Sequence, residues 1–325
     1  MQRHLIDPTI SNAIVYGCLY AMMCVGLTVT YLTTKVPNFA HTDFVVIAIF
    51  SSATTFILGN FSSPYLTVPV AVLTGGVVAV LMYLLVLKPL TKRGANIVVL
   101  MISTLAVDII LTALIGAIFI DYIGTTYGRI LANKGYYLFA LNQLPDFQIF
   151  GERGILLVAP AVLVLMTISL NYLLKRTRFG VAMRASIENP NLAKVVGVNV
   201  ERVYLVSWFI AGALAGLGGG LYSIQSPTPQ ATSSFLIVDI FAGSVLGGIF
   251  SIYGAIAGGL IVGISETYVI RVLTVLVNNT YGFEAGAQLD AFQKGIPLGI
   301  MIITLLIIPR GLASVDWRGL LRRLK

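Results

Sequence analysis

The stretch "RASIENPNLAKVVGVN", Arg184 to Asn199, separates two long apolar runs and decides how this chain must fold. The run from Gly154 to Leu174 before it and the run from Val203 to Val238 after it contain no charged residue. About 20 consecutive apolar residues are enough to cross a bilayer as a helix. The polar stretch is therefore predicted to join two membrane-spanning segments at the membrane surface.

The composition of the whole chain supports a membrane-spanning structure. Its 325 residues are 57% hydrophobic and only 10% charged, with a mean hydropathy of +0.92, whereas soluble domains carry about 25% charged residues. The apolar runs are continuous, while the strands of a membrane β-barrel alternate over segments of about 10 residues. The sequence predicts an all-α, polytopic transmembrane helical bundle, with residues 1–325 forming one domain.

Nine apolar segments are candidate spans, and glycine or proline lies at several of their joins. The shortest are 235–250 and 295–309, which lie in the last third of the chain. The complete set is 11–34, 43–59, 65–87, 95–120, 154–174, 203–225, 235–250, 254–277 and 295–309.

The lysines and arginines predict the orientation of these spans. Fifteen of the 21 basic residues are Lys35 or lie in 88–93, 175–202 and 310–325. Basic loops favour the cytoplasmic side, so we predict nine crossings, with the N-terminus outside and the C-terminus inside. If 36–59 is re-entrant, eight crossings remain and the N-terminus is inside. The clustering also accounts for the net charge of +8 without a nucleic-acid partner.

Several features are expected to be structural. Cys18 and Cys24 lie in one apolar run and are poorly placed for a disulfide. That run, 11–34, lacks an A-x-A cleavage site and is predicted to be a retained span. No metal site is predicted, since His41 has no second nearby His or Cys. The basic cytoplasmic tail, 310–325, ends in "WRGLLRRLK" and suits the membrane interface.

Small residues are concentrated in the second half of the chain. Lipid gives helices no hydrophobic reason to associate, so close approach through small residues supplies much of their packing. The pattern predicts a tight bundle within this subunit, with helix packing at Gly212, Gly216, Gly220, Gly247 and Gly258.

Three acidic residues, Asp108, Asp239 and Glu266, fall inside predicted spans. A charge at the bilayer centre costs at least about 2.5–3.5 kcal/mol on insertion scales, so each is a candidate functional residue. Each could belong to a substrate pathway or pair with another residue inside the bundle, and the sequence leaves both alternatives open.

A polar break, "PNFAHTDF" at 37–44, follows the first span. Its Asn38, His41 and Asp43 are candidate pathway residues if this is a broken helix that lines a cavity; the alternative is a plain cytoplasmic loop. The segment "FVVIAIFSS" from Phe44 also resembles "FLIVDIFAG" from Phe235, which the predicted topology runs in the opposite direction. Inverted repeats of interrupted segments occur in transporters, although a match this short also arises by chance.

The polar stretch itself has the capping residues of a short helix. Asn189 suits the N-cap, and Pro190 suits the first helical position. Gly197 lies where a helix of about two turns would end. Leu192, Val195 and Val196 would then be exposed unless this chain or a partner covers them.

This region resembles the coupling loop of branched-chain amino-acid ABC transporter permeases. "GVAMRASIENPNLAKVVGVNVERV" is similar to the family's G-x-x-x-R-A-x-x-x-(N/D)-x-x-x-A-x-x-x-G-(I/V)-(N/D). "PNFAHTDF" and "ISTLAVDIIL" are similar to two further family motifs, and "AGSVLGGIFSIYGAIAGGLIVGISE" is similar to a long, specific one. The resemblance covers nearly the whole chain, and the short N-terminal lead resembles the LivH-type half rather than the LivM-type half.

In that family the short helix docks into a groove on a separate ATPase subunit. The resemblance therefore implies a coupling loop at 175–202. It also implies a second, LivM-type permease, two ABC ATPase subunits and an extracytoplasmic solute-binding protein, in the cell membrane of a prokaryote. The residues that would couple to the ATPase are Arg184, Ala185, Glu188, Asn189, Leu192, Ala193, Val195, Val196, Gly197 and Asn199.

The resemblance implies a permease for branched-chain or other hydrophobic amino acids, with no catalytic residue and no cofactor of its own. The chain contains no G-x-x-x-x-G-K-[ST] phosphate-binding loop, so ATP and magnesium would bind to the partner ATPase. The alternatives are a permease of the same family for urea, short amides or another small solute, an ATP-independent carrier or channel, and a membrane scaffold. The cargo stays open because the chain departs from the family pattern at Thr42, Asp43, Ala106, Thr112, Ala113 and Phe250.

Overall fold

A computed structural model describes residues 7–138, 140–149, 151–281 and 292–315. Most of the predicted tail, including Arg318, Arg322, Arg323 and Lys325, lies outside the described residues. The helices are α1 (Pro8–Thr34), α2 (His41–Gly59), α3 (Pro64–Lys92), α4 (Ile97–Thr126), α5 (Gly128–Asn133), α6 (Ile155–Arg176), α7 (Arg178–Glu188), α8 (Pro190–Val195), α9 (Val200–Gln225), α10 (Thr232–Gly247), α11 (Ile252–Tyr281) and α12 (Gly295–Ile307).

The all-α membrane architecture predicted from the sequence is confirmed. Eight helical stretches among the described residues are long and apolar enough to cross a membrane, the last being Gly295–Ser314, which begins with α12; α10 is a shorter apolar helix. The largest difference from the predicted boundaries is in α4, which continues past residue 120 to Thr126. A π-helical segment, Gly116–Ile123, extends the helix beyond residue 120 and leads into its last turn.

Hydrogen bonds and ion pairs identify the two ends of the bundle. At one end, Lys88 and Lys92 form ion pairs with Glu201 at 2.8 and 3.0 Å. We call this end, with the neighbouring residues Lys35 and Lys175, the basic face. At the other end, Gln225 donates a hydrogen bond of 2.9 Å to Asn12. Consecutive membrane helices alternate between the two.

Four very short strands lie at the end opposite the basic face. The strand β1 (Ala140–Leu141) pairs antiparallel with β4 (Thr228–Pro229), immediately after α9. The strands β2 (Gln148–Ile149) and β3 (Glu152–Arg153) form a second pair. They hold the connection between α5 and α6 against the end of α9.

The segment 36–59 passes from one end of the bundle to the other. It leaves α1 beside Lys35 on the basic face and ends at Asn60, whose side chain accepts a hydrogen bond of 2.5 Å from Lys134. Lys134 precedes the strands of the opposite end. These contacts favour a full passage of 36–59 over the re-entrant alternative, and the number of crossings among the described helices, eight or nine, depends on the shorter helix α10.

The first span, α1, lies at the centre of the bundle. Nearly all of its residues between Cys18 and Thr30 are buried, and its main neighbours are α11, α9, α6 and α10. Both cysteines are buried and free. An apolar helix surrounded by other helices on all sides needs no amphipathic pattern, which is why its sequence shows none.

Glycines allow the helices around α1 to approach closely. A Cβ atom on Gly212 would meet the carbonyl oxygen of Gly75 on α3. Gly216 faces the backbone of Ala71, while Gly220 lies against the Ala71 side chain. In the second half of the chain, Gly247 contacts Gly254, and Gly258 contacts Gly243. Backbone-to-backbone contact of this kind is what small residues contribute to helix packing in membranes.

We predict that Gly212→Ala destabilises the bundle by about 1–3 kcal/mol, because the added methyl group must push α3 away from α9. A lower midpoint of thermal unfolding in detergent would measure this effect. Gly299→Ala is the matched control, since a Cβ atom at that position on α12 has open space around it. Equal midpoints for the two variants would contradict the proposed close contact.

Candidate functional site

The predicted short helix exists and is closed at both ends by its own sequence. The Asn189 side chain accepts hydrogen bonds from the backbone N–H groups of Asn191 and Leu192 at 3.1 and 3.0 Å. At the other end, the N–H groups of Gly197 and Val198 donate to Lys194 and Ala193. This pair of bonds is the Schellman arrangement, and Gly197 supplies the positive φ of 88° that it requires.

This helix, α8, presents an uncovered apolar surface. Leu192, Val195 and Val196 are 60%, 82% and 70% exposed. We call these three side chains the α8 apolar face. Ala193 points the other way and is buried, so it fixes the helix to the bundle and is not available to a partner. The Ala193 side chain is therefore not part of the α8 apolar face, and its predicted part in coupling to the ATPase stays a prediction.

The remaining predicted coupling residues mostly hold the loop in shape. Arg184 donates to the carbonyl oxygen of Leu174, and the carbonyl oxygen of Ala185 accepts from the Asn189 N–H at 3.0 Å. Asn199 caps α9 by accepting from the Arg202 N–H at 3.0 Å. Glu188 is exposed at the end of α7. These contacts explain why the loop departs from the apolar pattern on either side of it.

A second candidate site lies where α2 begins. The His41 ring contacts the carbonyl oxygen of Met23 at 3.1 Å, well inside α1. Thr104, inside α4, accepts from the Phe39 N–H at 3.3 Å, and Thr112 donates to Asp43 at 3.2 Å. The polar break is therefore buried beside the middle of α1 and α4, which fits a broken helix and does not fit a plain surface loop, and its role in lining a cavity stays a prediction. Irregular backbone is tolerated there because protein surrounds it.

The start of α10 meets the start of α2. The Asp43 carboxyl group lies near the carboxyl group of Asp108 and the hydroxyl group of Ser233, close enough to interact with both. The rings of Phe39 and Phe241 stack with centroids 5.1 Å apart. The two helices then run to opposite ends of the bundle, and Phe44 and Phe235, which begin the two similar segments, are each the fourth residue of their helix.

We call Asn38, His41, Asp43, Asp108 and Thr112 the mid-membrane cluster. Among the residues that the structure describes, the Asn38 amide oxygen and nitrogen and His41 Nδ1 are buried without a hydrogen-bond partner. Thr42 Oγ1, beside the cluster, is also buried without a hydrogen-bond partner. Buried polar atoms almost always have partners. Several unpaired polar atoms at one place make this cluster a candidate binding site.

Asp239 and Glu266 have a different environment. Lys294 Nζ lies 2.5 Å from Asp239 Oδ2 and 2.8 Å from Glu266 Oε1, and both carboxyl groups are buried. This ion triad links α10, α11 and the start of α12. It supports internal pairing over a pathway role for the two acids. Lys294 is one of the six basic residues outside the predicted cytoplasmic loops, and the sequence did not predict its pairing with these two acids.

The Phe250 side chain, at a position where the sequence departs from the family pattern, contacts the end of α1. Its ring packs edge-on against Tyr31 at 5.4 Å and lies under the Lys35 ammonium at 5.7 Å. Partial burial lowers the pKa of Lys35. Phe250 therefore connects the end of α1 with the turn after α10, where the family pattern has a smaller residue.

Comparisons with known proteins agree on one family. Residues 9–305 match the family described as "Branched-chain amino acid transport system / permease component". The chain is 41% identical to the probable branched-chain amino acid transport permease protein LivH of Methanocaldococcus jannaschii, over 97% of this chain and 95% of that protein. It is 25% identical to the LivH permease of the high-affinity system of Escherichia coli K12, with 93% of each chain covered.

One solved structure also resembles the chain. PsaBC from Streptococcus pneumoniae in complex with Fab aligns with a TM-score of 0.45 and 12% sequence identity. The alignment covers 94% of this chain and 93% of that one.

We predict that Lys294→Met destabilises the protein by roughly 3–5 kcal/mol, because it leaves two buried carboxyl groups without a cation. The triple variant Lys294→Met, Asp239→Asn, Glu266→Gln should recover most of this loss, since no buried charge remains. Thermal unfolding of the three proteins in detergent measures both effects. A triple variant no more stable than Lys294→Met would show that the ion triad does not stabilise the bundle.

Proposed function

The chain belongs to the branched-chain amino-acid transport permease family, and on that premise we propose which parts of it perform transport. As a permease it is a membrane transport subunit and not an enzyme. We infer that it works with a second, LivM-type permease, two ATPase subunits bound at the basic face, and a solute-binding protein at the opposite end. The basic face would then be cytoplasmic, as its lysines and arginines favour.

The α8 apolar face carries the proposal of an ATPase partner. Three large apolar side chains stay exposed on a helix that its caps and the buried Ala193 hold in place. An amphipathic helix that lays its apolar side into a groove is a common mode of protein recognition. A fixed orientation reduces the entropy lost on binding, so the capped helix suits repeated docking and transmission of force.

The covalent connections of α8 give a route for that force. The α7–α8 loop follows α6 and runs directly into α9 through the Asn199 cap. Helix α9 packs against α1, α2 and α3, and a Cβ atom on its Gly219 would meet the carbonyl oxygen of Val45 near the start of α2. Movement of α8 by the ATPases would therefore shift α9 against the mid-membrane cluster.

We propose that the mid-membrane cluster takes part in binding an amino acid during alternating access. An amino acid carries an ammonium and a carboxylate group. Asp43 and Asp108 offer carboxyl groups for the ammonium, and the N-terminal ends of α2 and α10 offer N–H groups for the carboxylate. The stacked Phe39 and Phe241 provide an apolar surface nearby. These groups support a branched-chain or other hydrophobic amino acid as the cargo.

Urea or a short amide is the second candidate cargo within the same family. Such solutes are uncharged, so they would use the Asn38 amide and the Thr42 hydroxyl group, which are buried and unpartnered, but would not require two acidic groups. The pair Asp43 and Asp108 is the observation that favours an amino acid.

We predict that Leu192→Glu abolishes co-purification with the ATPase subunit while the chain still folds, because it places a charge in the α8 apolar face. Pull-down of the ATPase from detergent extracts measures the effect. Asn191→Glu is the matched control: it adds the same charge to the same helix, at an exposed polar position in the first turn where acidic residues are favoured. Normal recovery of the ATPase with Leu192→Glu would contradict the docking proposal.

We predict that Asp43→Asn lowers leucine uptake by roughly tenfold or more, since a hydrogen bond to a charged group contributes about 1.5–3 kcal/mol. Uptake of leucine into proteoliposomes that contain the complete transporter measures this effect. Uptake of urea, the second candidate cargo, is measured in the same proteoliposomes. Glu266→Gln, an equally buried acid in the ion triad, should keep leucine selectivity even if it lowers protein yield. Unchanged leucine uptake with Asp43→Asn would remove this residue from the pathway.

A further inference from the structure

A cavity of about 530 Å³ opens on the basic face. It lies between the ends of α1, α3 and α9 and beneath α8, so parts of the chain far apart in sequence build it together. Four lysines line it, together with a single acidic residue, Glu201. The lysines are Lys35, Lys88, Lys92 and Lys194.

The positive charges around this cavity exceed the negative ones. Lys88 and Lys92 share the one carboxyl group of Glu201, at 2.8 and 3.0 Å. Lys35 and Lys194 add two further ammonium groups to the lining, with no additional acidic residue among the lining residues. An arrangement of four cations and one anion around one space attracts an anionic ligand.

The position of the cavity favours a lipid over a soluble anion. Its wall includes Leu100, in the first turns of α4. The neighbouring Ile97, Val98 and Ile102 are each more than half exposed, and they continue as an apolar surface along a helix whose span is only 11% buried. A ligand with its head in the cavity could therefore lay an acyl chain along α4. The lining also contains Tyr83 and Tyr204, residue types common at the interface between lipid and water.

We propose that this cavity binds the phosphate headgroup of an anionic phospholipid. Lys88 and Lys92 would hold the phosphate oxygens, and Lys194 would contact the same headgroup from α8. Basic pockets between membrane helices at the cytoplasmic surface have the chemistry to select such headgroups. A bound lipid would add a bridge between α8 and the ends of α3 and α9.

Native mass spectrometry of the full-length chain, purified within its transporter complex, tests this directly. The probes are phosphatidylglycerol and phosphatidylcholine added to delipidated protein. We expect phosphatidylglycerol to bind and to lose about tenfold or more in affinity in the double variant Lys88→Gln, Lys92→Gln, since each basic residue near a membrane surface contributes roughly a fivefold factor. Glu201→Gln should raise the affinity, because it frees both ammonium groups.

The control variant Arg176→Gln, Arg178→Gln removes the same charge from the same face without changing the cavity lining, and it should bind phosphatidylglycerol as the unmodified protein does. The midpoints of thermal unfolding in phosphatidylcholine must be equal for all variants, so that loss of folding does not account for a loss of affinity. Equal loss in the control, or equal binding of phosphatidylcholine, would overturn the proposal.

Displacement of the lipid by millimolar inorganic phosphate would identify a soluble anion site instead. Binding to the chain alone but not to the complex would show that an acidic surface of a partner protein fills the cavity.

Discussion

Every backbone N–H and C=O group inside the membrane must find a partner, and the rest of this structure depends on how that requirement is met. Most of the chain meets it with long helices. The segments before α2 and α10 depart from this: 35–40 is irregular backbone beside the middle of α1 and α4, and 226–231 joins α9 to α10 through the short strand β4. They are tolerated because α1, α4 and α9 enclose them. Glycines allow that enclosure, since they bring neighbouring helices into backbone contact.

The same requirement connects the two candidate sites. Helices α2 and α10 begin inside the bundle, so their first turns present N–H groups and polar side chains to its interior. Helix α9 packs along α2 and also receives the α7–α8 loop at its basic end. A partner that moves α8 therefore acts on a helix that already touches the polar interior. The fold needs no additional element to link the membrane surface to the mid-membrane cluster.

Sequence patterns predicted the helices and the short capped helix well because both depend on local chemistry. Asn189, Pro190 and Gly197 interact with residues only a few positions away, so their roles are visible in the sequence. The ion triad was not predicted because Lys294 pairs with acids 28 and 55 residues earlier. Burial of Ala193 was also missed, since alanine fits an exposed helix face and a buried one equally well. The depth of the polar break depends on contacts with α1 and α4, and hydropathy alone does not show it.

The ion triad also constrains the order in which the chain is assembled. Asp239 and Glu266 enter the membrane on α10 and α11 before Lys294 has been synthesised. Until then the two acids have no cation to pair with, and burial of their charges in the membrane opposes the final packing of their helices. Placement of α12 removes that obstacle, because its first residues bring the missing cation. The second half of the bundle therefore reaches the packing described here only after Lys294 has been synthesised and placed beside the two acids.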